Sequence, residues 1–212
     1  MIIRWLGHAS FLIRARGQRI YIDPYAGEYP EKGDVVLVTH GHGDHCDLEK
    51  LSKARRPGTL VLTSGPCAEG IPPDNVTAMA PGDRVDIDGV AVHAVEAYNV
   101  SRFRSPGVPY HPEGTQVGFV VEAEGRRVYH AGDTDYLPSM SALRGITLAL
   151  LPIMGRATMD VDEAVEATLA IRPEMAMPMH LRDADPEEFK RKVEGRSDIK
   201  VVIMREGEEL AI

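Results

Sequence analysis

The chain has 212 residues, 43% of them hydrophobic, and a formal net charge of −8. This length and composition exclude a disordered chain and two large domains, so we expect one domain over residues 1–212. The acidic balance argues against a nucleic-acid-binding protein. Because no membrane-length apolar run or signal peptide is present, the sequence predicts a cytoplasmic protein without membrane association.

Short strands and turns are predicted for the first half of the chain. Residues 10–13 and 19–22 flank Arg16-Gly17-Gln18, a pattern that is typical of a hairpin. The run Val35-Val36-Leu37-Val38 predicts a strand that is buried on both faces. A helix is expected near residues 47–54, and further strands are expected at 59–62, 84–87 and 90–98.

The segment 99–115 carries three prolines and two glycines and has no clear period. Loops of this length are usually functional or mobile. We therefore expect an irregular segment that contributes to function.

The second half alternates between strands and helices. Asp160, three residues before Glu163, and Asp185, directly before Pro186, mark two helix starts. The predicted strands are 116–122, 127–130, 147–151, 175–177 and 201–204, and the predicted helices are 138–143, 160–171 and 186–193. Two sheets packed face to face, with helices on their outer faces, would cover these apolar strands.

A histidine cluster directly follows the buried strand 35–38. It places His40, His42, Asp44 and His45 within six residues. Imidazole and carboxylate ligands together suit zinc, iron or manganese. Because adjacent side chains usually point apart, we expect His40 and His42 at one ion and Asp44 and His45 at a neighbouring ion.

Two further strands end in residues that are able to bind metal. Asp133 follows the predicted strand 127–130, and His180 follows the predicted strand 175–177. A single residue of this kind is more often structural than a metal ligand. The histidine cluster nearby makes a role as metal ligand the better interpretation for both Asp133 and His180. If the three strands lie side by side, their ends bring these ligands together at one rim.

These residues closely resemble the metallo-β-lactamase superfamily. The resemblance rests on His40-x-His42-x-Asp44-His45, Gly132-Asp133-Thr134 and Pro178-Met179-His180. Three further stretches are similar to small single-domain hydrolases related to L-ascorbate-6-phosphate lactonase: Trp5-Leu6-Gly7-His8-Ala9-Ser10, Ile22-Asp23-Pro24, and Leu151-Pro152 with Thr158-Met159. The resemblance implies a four-layer αββα sandwich and two divalent ions, zinc first, with manganese or iron as alternatives.

The resemblance also implies a division of the ligands. His40 and His42 bind the first ion, Asp44, His45 and His180 bind the second, and Asp133 bridges them. The third histidine of the first ion is missing, because Asn99 stands at its position. We expect His111 to replace it, with Asn99 or water as the alternative. His93 lies too far back in its strand to take part.

The implied activity is hydrolysis of an ester, lactone or phosphodiester by a metal-bridging hydroxide, with Asp44 as both ligand and catalytic base. Asp23 and Thr39 are expected to orient the imidazoles, and His8 to line the cleft. Four arginines near the rim indicate a small anionic substrate: Arg102, Arg104, Arg156 and Arg182. A homo-oligomer and a redox role for Cys46 are left open.

Two other functions remain as alternatives at this point. One is a mononuclear iron oxygenase of the same fold, which needs only one set of ligands. The other is a non-catalytic metal-binding protein with a decayed first site, which Asn99 favours.

Overall fold

The computed structural model covers residues 1–212 and contains two seven-stranded sheets. In spatial order, the first sheet consists of β16 (Glu209–Ala211), β1 (Ile2–Gly7), β2 (Ser10–Ala15), β3 (Gln18–Ile22), β4 (Val35–Val38), β5 (Leu60–Ser64) and β6 (Val76–Met79). The second sheet consists of β15 (Lys200–Val201), β14 (Met175–Met179), β13 (Leu148–Pro152), β12 (Arg126–His130), β11 (Val117–Ala123), β8 (Val90–Glu96) and β7 (Arg84–Ile87).

Four α-helices and a small hairpin complete the fold. The helices are α1 (Leu48–Ala54), α2 (Gly65–Ala68), α3 (Val161–Ile171) and α4 (Pro186–Glu194). The predicted helix at 138–143 is a 3-10 helix, Pro138–Ala142. The hairpin pairs β9 (Phe103–Ser105) with β10 (Val108–Pro109). None of the helices has the length and apolar character needed to cross a lipid bilayer.

Three groups of buried side chains define the layers. The central group contains Phe11 and Ile13 of the first sheet and Phe119 and Val121 of the second, so the sheets pack face to face. Two outer groups fill the space between the second sheet and α3 and α4, and between the first sheet and α1 and α2. Cys46 packs beside Cys67 in the latter group. The predicted αββα sandwich is therefore confirmed.

Local sequence explains the elements that were predicted correctly. The β2–β3 hairpin turns at Arg16 and Gly17, whose φ angles of 53° and 78° suit a two-residue turn. All four residues of β4 are buried. Asp160 caps α3 by accepting from the Glu163 backbone N at 2.9 Å, as its spacing predicted.

Several elements were not predicted, because their stability comes from distant pairing. β1 and β16 pair at the two ends of the chain, with Ile2 opposite Ala211. β6 adds to the edge of the first sheet beside β5. In segment 99–115, predicted to be irregular, β9 and β10 are too short to show a period of two. The predicted strand 201–204 shortens to Lys200–Val201.

The shared core between the sheets predicts a large difference between two phenylalanines. Phe119 is fully buried, whereas Phe103 is 47% exposed. Phe119→Ala should lower the free energy of unfolding by about 3–5 kcal/mol, because it leaves a cavity between the sheets. Phe103→Ala, the matched control, should change it by less than about 0.5 kcal/mol. Urea unfolding followed by circular dichroism measures both, and equal losses would contradict this packing.

Candidate metal centre

The predicted ligands meet at one edge of the molecule, where parallel strands of both sheets end. The histidine cluster follows β4 in the first sheet, whereas Asp133 and His180 follow β12 and β14 in the second. The three strands therefore do not lie side by side, which was the condition under which their ends were expected to converge. Their ends converge because the two sheets face each other and are joined at this edge by backbone hydrogen bonds, Val117 N to Thr39 O and His180 N to His8 O, both 3.2 Å.

One group of side chains consists of three imidazoles. The His40 Nε2 and His42 Nδ1 atoms are 3.1 Å apart, and His42 Nδ1 is 3.1 Å from His111 Nε2. The structure thus brings His111, from segment 99–115, beside the two histidines of the cluster. Asn99 lies behind His111 instead, with its Oδ1 atom 2.8 Å from His111 Nδ1.

The other group contains Asp44, His45, His180 and His8, each with a ligand atom within 4.8 Å of the others. His8 Nε2 lies 3.3 Å from Asp44 Oδ2, and His180 Nε2 lies 3.8 Å from the same oxygen. The sequence predicted only that His8 lines the cleft. His8 follows β1 directly, and β1 runs parallel to β3. The ends of these two strands therefore lie at the same edge of the sheet, and this is the signal that could have placed His8 among the ligands.

Asp133 lies between the two groups. Its Oδ1 atom is 3.2 Å from His45 Nε2, and its Oδ2 atom is 3.4 Å from His180 Nε2 and 3.6 Å from His111 Nε2. One carboxylate therefore faces imidazoles of both groups, which is the position that a bridging ligand occupies.

Asp23 and Thr39 orient two of the imidazoles, as expected. Asp23 is fully buried and accepts from Thr39 N at 2.7 Å, from Thr39 Oγ1 at 2.8 Å and from His45 Nδ1 at 2.7 Å. Because the Thr39 hydroxyl donates to Asp23, its oxygen accepts from His40 Nδ1 at 3.0 Å. When neutral, His40 and His45 therefore both point an Nε2 lone pair toward the cluster.

Backbone strain accompanies the site. His8, Asp23 and His180 have φ angles of 53°, 46° and 51°, in the left-handed region that favours glycine. Such conformations cost about 1–3 kcal/mol each and concentrate at functional sites.

Several buried polar atoms at the centre make no hydrogen bond of good geometry, although some lie near an oppositely charged group: His8 Nε2, His45 Nε2, Asp133 Oδ1, and both ring nitrogens of His180. A buried polar atom without a partner costs about 1–3 kcal/mol. Imidazole nitrogens and carboxylate oxygens that converge in this way fit divalent transition-metal ions, which accept lone pairs from these atoms. The donor set thus fits the metal dependence that the sequence predicts.

The charges of the imidazoles differ between the two groups. Burial lowers the pKa of His40 well below its ordinary value and lowers the pKa of His111 to about 4, so both rings are neutral at neutral pH. Burial also lowers the pKa of His45, but the carboxylates of Asp133 and Asp23 outweigh it and raise this pKa well above its ordinary value. In the metal-free protein, a proton on His45 therefore occupies the place of a cation.

A cavity of about 440 Å³ opens over the cluster and is lined by His42, Asp44, His111, Asp133 and His180. Tyr110, Arg156 and Arg182 also line it. The cavity gives a small molecule access to both groups of side chains.

Arg102 does not face this cavity, so its predicted role in substrate recognition is wrong. Its guanidinium is 12% exposed, lies 2.9 Å from Asp135 and 3.2 Å from Asp160, and pairs with Glu163. Arg104 donates to the backbone oxygen of Tyr110 at 2.8 Å. It also lies over the ring of Tyr110, whereas Arg156 and Arg182 line the cavity directly.

The sequence matches the family described as the Beta-lactamase superfamily domain over residues 2–180. The chain belongs to this superfamily. A UPF0173 metal-dependent hydrolase of Methanopyrus kandleri is 39% identical, with 98% of each chain aligned. One from Methanosarcina mazei is 34% identical, with 99% of this chain and 98% of the relative aligned. The predicted enzyme class, a metal-dependent hydrolase, is the description that these superfamily members carry.

Solved structures of superfamily members support the same fold. A protein from Parabacteroides distasonis, provisionally described as a metal-dependent hydrolase, superposes with a TM-score of 0.89 at 30% identity, covering 97% of this chain and 93% of that one. Igni18, a metallo hydrolase from Ignicoccus hospitalis, superposes with a TM-score of 0.79 at 28% identity, covering 99% and 97%.

The raised pKa of His45 predicts a pH-dependent affinity for metal. A cation that binds His45 Nε2 must displace the proton held there, so binding should release about one proton. The affinity should increase as the pH rises from about 6 to about 8, since more protein then lacks this proton. Calorimetric titration with zinc, in buffers of different ionisation enthalpy, measures the release. His93→Ala is the matched control and should behave as wild type, whereas an affinity independent of pH would contradict this charge assignment.

Proposed function

We propose that the chain hydrolyses a small anionic ester, lactone or phosphodiester with two divalent cations. His40, His42 and His111 would hold the first cation, and the second would be held by Asp44, His45 and His180, with His8 alongside. Asp133 would contact both cations. The observation that carries this proposal is the convergence of two ligand groups on Asp133, with buried donor atoms that lack a partner within the protein.

Two divalent cations at these positions would polarise the substrate and increase the acidity of water between them. Asp44 is the residue of the chain that we assign to proton transfer. Its contact with His8 holds the pKa of Asp44 well below its ordinary value, so this carboxylate is ionised at neutral pH. It lines the cavity, where a bound substrate would lie.

The anionic character of the substrate is inferred from the mouth of the cavity. Arg156 and Arg182 are both exposed there, and Arg182 lies 3.3 Å from Asp44. Guanidinium groups bind carboxylates and phosphates through paired hydrogen bonds. The narrower resemblance to L-ascorbate-6-phosphate lactonase stays a prediction, as does zinc over manganese or iron.

The two alternative functions receive less support from the site. A mononuclear oxygenase needs one ligand group, whereas two groups are assembled here. CmlA, a diiron β-hydroxylase from Streptomyces venezuelae, shares the fold with a TM-score of 0.79 at 16% identity, which is a likeness of fold alone. A decayed first site would lack a third imidazole, whereas His111 lies beside His42.

Metal analysis with an activity screen tests the proposal. Purified protein should bind about two equivalents of zinc or manganese, lose hydrolysis of chromogenic phosphodiesters or lactones on chelation, and regain it when metal returns. Asp133→Ala should lower the rate at least about 100-fold, because both cations lose a ligand. His93→Ala is the matched control and should keep both properties. Protein that stays metal-free in excess metal would overturn the proposal.

The arginines at the mouth predict a selective loss of substrate binding. Arg156→Ala combined with Arg182→Ala should raise the KM for an anionic substrate about 10-fold or more, because charged hydrogen bonds contribute about 1.5–3 kcal/mol. The KM for a neutral lactone should stay the same, as should the metal content. Steady-state kinetics on the two substrates measure the difference. An equal change for both substrates would refute anion recognition by these side chains.

A further inference from the structure

We propose that Asn99 is a positioning residue that fixes the tautomer of His111 and thereby directs its Nε2 lone pair toward the first cation. Asn99 itself does not contact the cations in this proposal. The inference rests on the proposed function in one respect, namely that His111 binds the first cation.

The contacts around His111 determine which ring nitrogen carries the proton. Asn99 Oδ1 lies 2.9 Å from the backbone N of His111 and 2.8 Å from its Nδ1 atom. The backbone oxygen of Ala157 lies 3.2 Å from the same Nδ1 atom. Because carbonyl oxygens only accept hydrogen bonds, Nδ1 must donate. In the neutral ring, Nε2 is then without a proton.

The unprotonated Nε2 atom faces the centre of the first ligand group. It lies 3.1 Å from His42 Nδ1 and 3.6 Å from Asp133 Oδ2. His40 directs its own Nε2 atom to the same place, 3.1 Å from His42 Nδ1. With the opposite tautomer, a proton on His111 would occupy this space and exclude a cation.

Asn99 can act in this way only if its amide is held in one orientation. Its Nδ2 atom lies 2.8 Å from Asp135 Oδ1 and 3.0 Å from the Ala157 backbone oxygen. Both partners only accept hydrogen bonds. Reversing the amide would place its oxygen against these two acceptors and its NH₂ group against the two donors of His111, which costs several hydrogen bonds in a buried site.

Asp135 therefore determines the polarity of Asn99. This carboxylate is fully buried, and its Oδ2 atom accepts from Val100 N at 2.8 Å and from Ser101 N at 2.7 Å. Arg102 donates to its Oδ1 atom at 2.9 Å and is itself anchored on α3 by Asp160 and Glu163. A continuous series of hydrogen bonds thus connects α3 to the ring of His111, and every link has a defined donor and acceptor.

The tautomer can be measured in metal-free protein by long-range ¹H–¹⁵N NMR of the histidine rings. Wild-type His111 should show the Nδ1–H tautomer. Asn99→Leu, which keeps a similar volume but cannot accept, leaves only the more distant Ala157 oxygen and should give a mixture of tautomers. Affinity for the first zinc ion should fall about 10–100-fold, as observed when the partner of a ligating histidine is lost. Ser101→Ala is the matched control, because it removes one hydrogen bond of Asp135 without changing the polarity of Asn99.

A conservative variant separates positioning from a general structural role. Asn99→Asp keeps an oxygen that accepts from His111 Nδ1 and should therefore keep the Nδ1–H tautomer. Its second oxygen faces the Asp135 carboxylate, so this variant should be less stable than wild type while the tautomer stays the same. Asn99→Ala, which also lacks the acceptor, replaces Asn99→Leu in the comparison if the leucine variant fails to fold.

The outcomes distinguish this inference from the proposed function. An unchanged tautomer and unchanged zinc affinity in Asn99→Leu, or loss of the Nδ1–H tautomer in folded Asn99→Asp, would overturn the positioning role. Wild-type protein that binds no metal but shows an Asn99-dependent tautomer would overturn the proposed function and support the positioning role. A mixed tautomer and weaker zinc binding in Asn99→Leu, with the Nδ1–H tautomer kept in Asn99→Asp, would support both.

Discussion

A buried imidazole held between two buried carboxylates is the constraint on which the rest of the site depends. His45 contacts Asp23, at the end of β3 in the first sheet, and Asp133, beyond β12 in the second. Buried charges are costly unless they are paired, so the two sheets must meet closely enough for both contacts to form. The same arrangement directs His45 Nε2 at Asp133. In the metal-free protein a proton on His45 balances the charge of the two carboxylates, and a bound cation would take the place of this proton. The close approach of the two sheets at this edge and the affinity for metal thus depend on the same interaction.

Three imidazoles of the site are oriented in the same way, by a hydrogen-bond acceptor at Nδ1. The acceptor is Thr39 for His40, Asp23 for His45 and Asn99 for His111. The partners differ in chemistry, but each accepts a hydrogen bond from Nδ1 and so leaves Nε2 unprotonated when the ring is neutral. The protein therefore selects the ligand tautomer of His40 and His111 before any ion arrives, whereas His45 must first release its proton. A site that is organised in advance loses less conformational freedom on binding.

Sequence predicted the parts of this site that depend on neighbouring residues. The cluster from His40 to His45 is local, and the ends of apolar strands identified Asp133 and His180. The αββα arrangement came from resemblance, because short apolar strands do not determine which sheet they join. Nothing in the sequence indicates that the Arg102 side chain is largely enclosed by ion pairs, since Asp135, Asp160 and Glu163 lie 33 or more positions away along the chain. His8 was underestimated for the same reason, because its neighbours are brought to it by the topology.

The left-handed backbone at His8, Asp23 and His180 has a consequence for how such a protein changes over generations. Glycine would adopt these conformations without strain, so substitution to glycine relaxes the backbone while it removes a side chain from the centre. A descendant that no longer needed its ions would meet little resistance to that exchange. Loss of metal binding would therefore remove the functional reason for side chains at these three positions, and exchange for glycine would then favour folding.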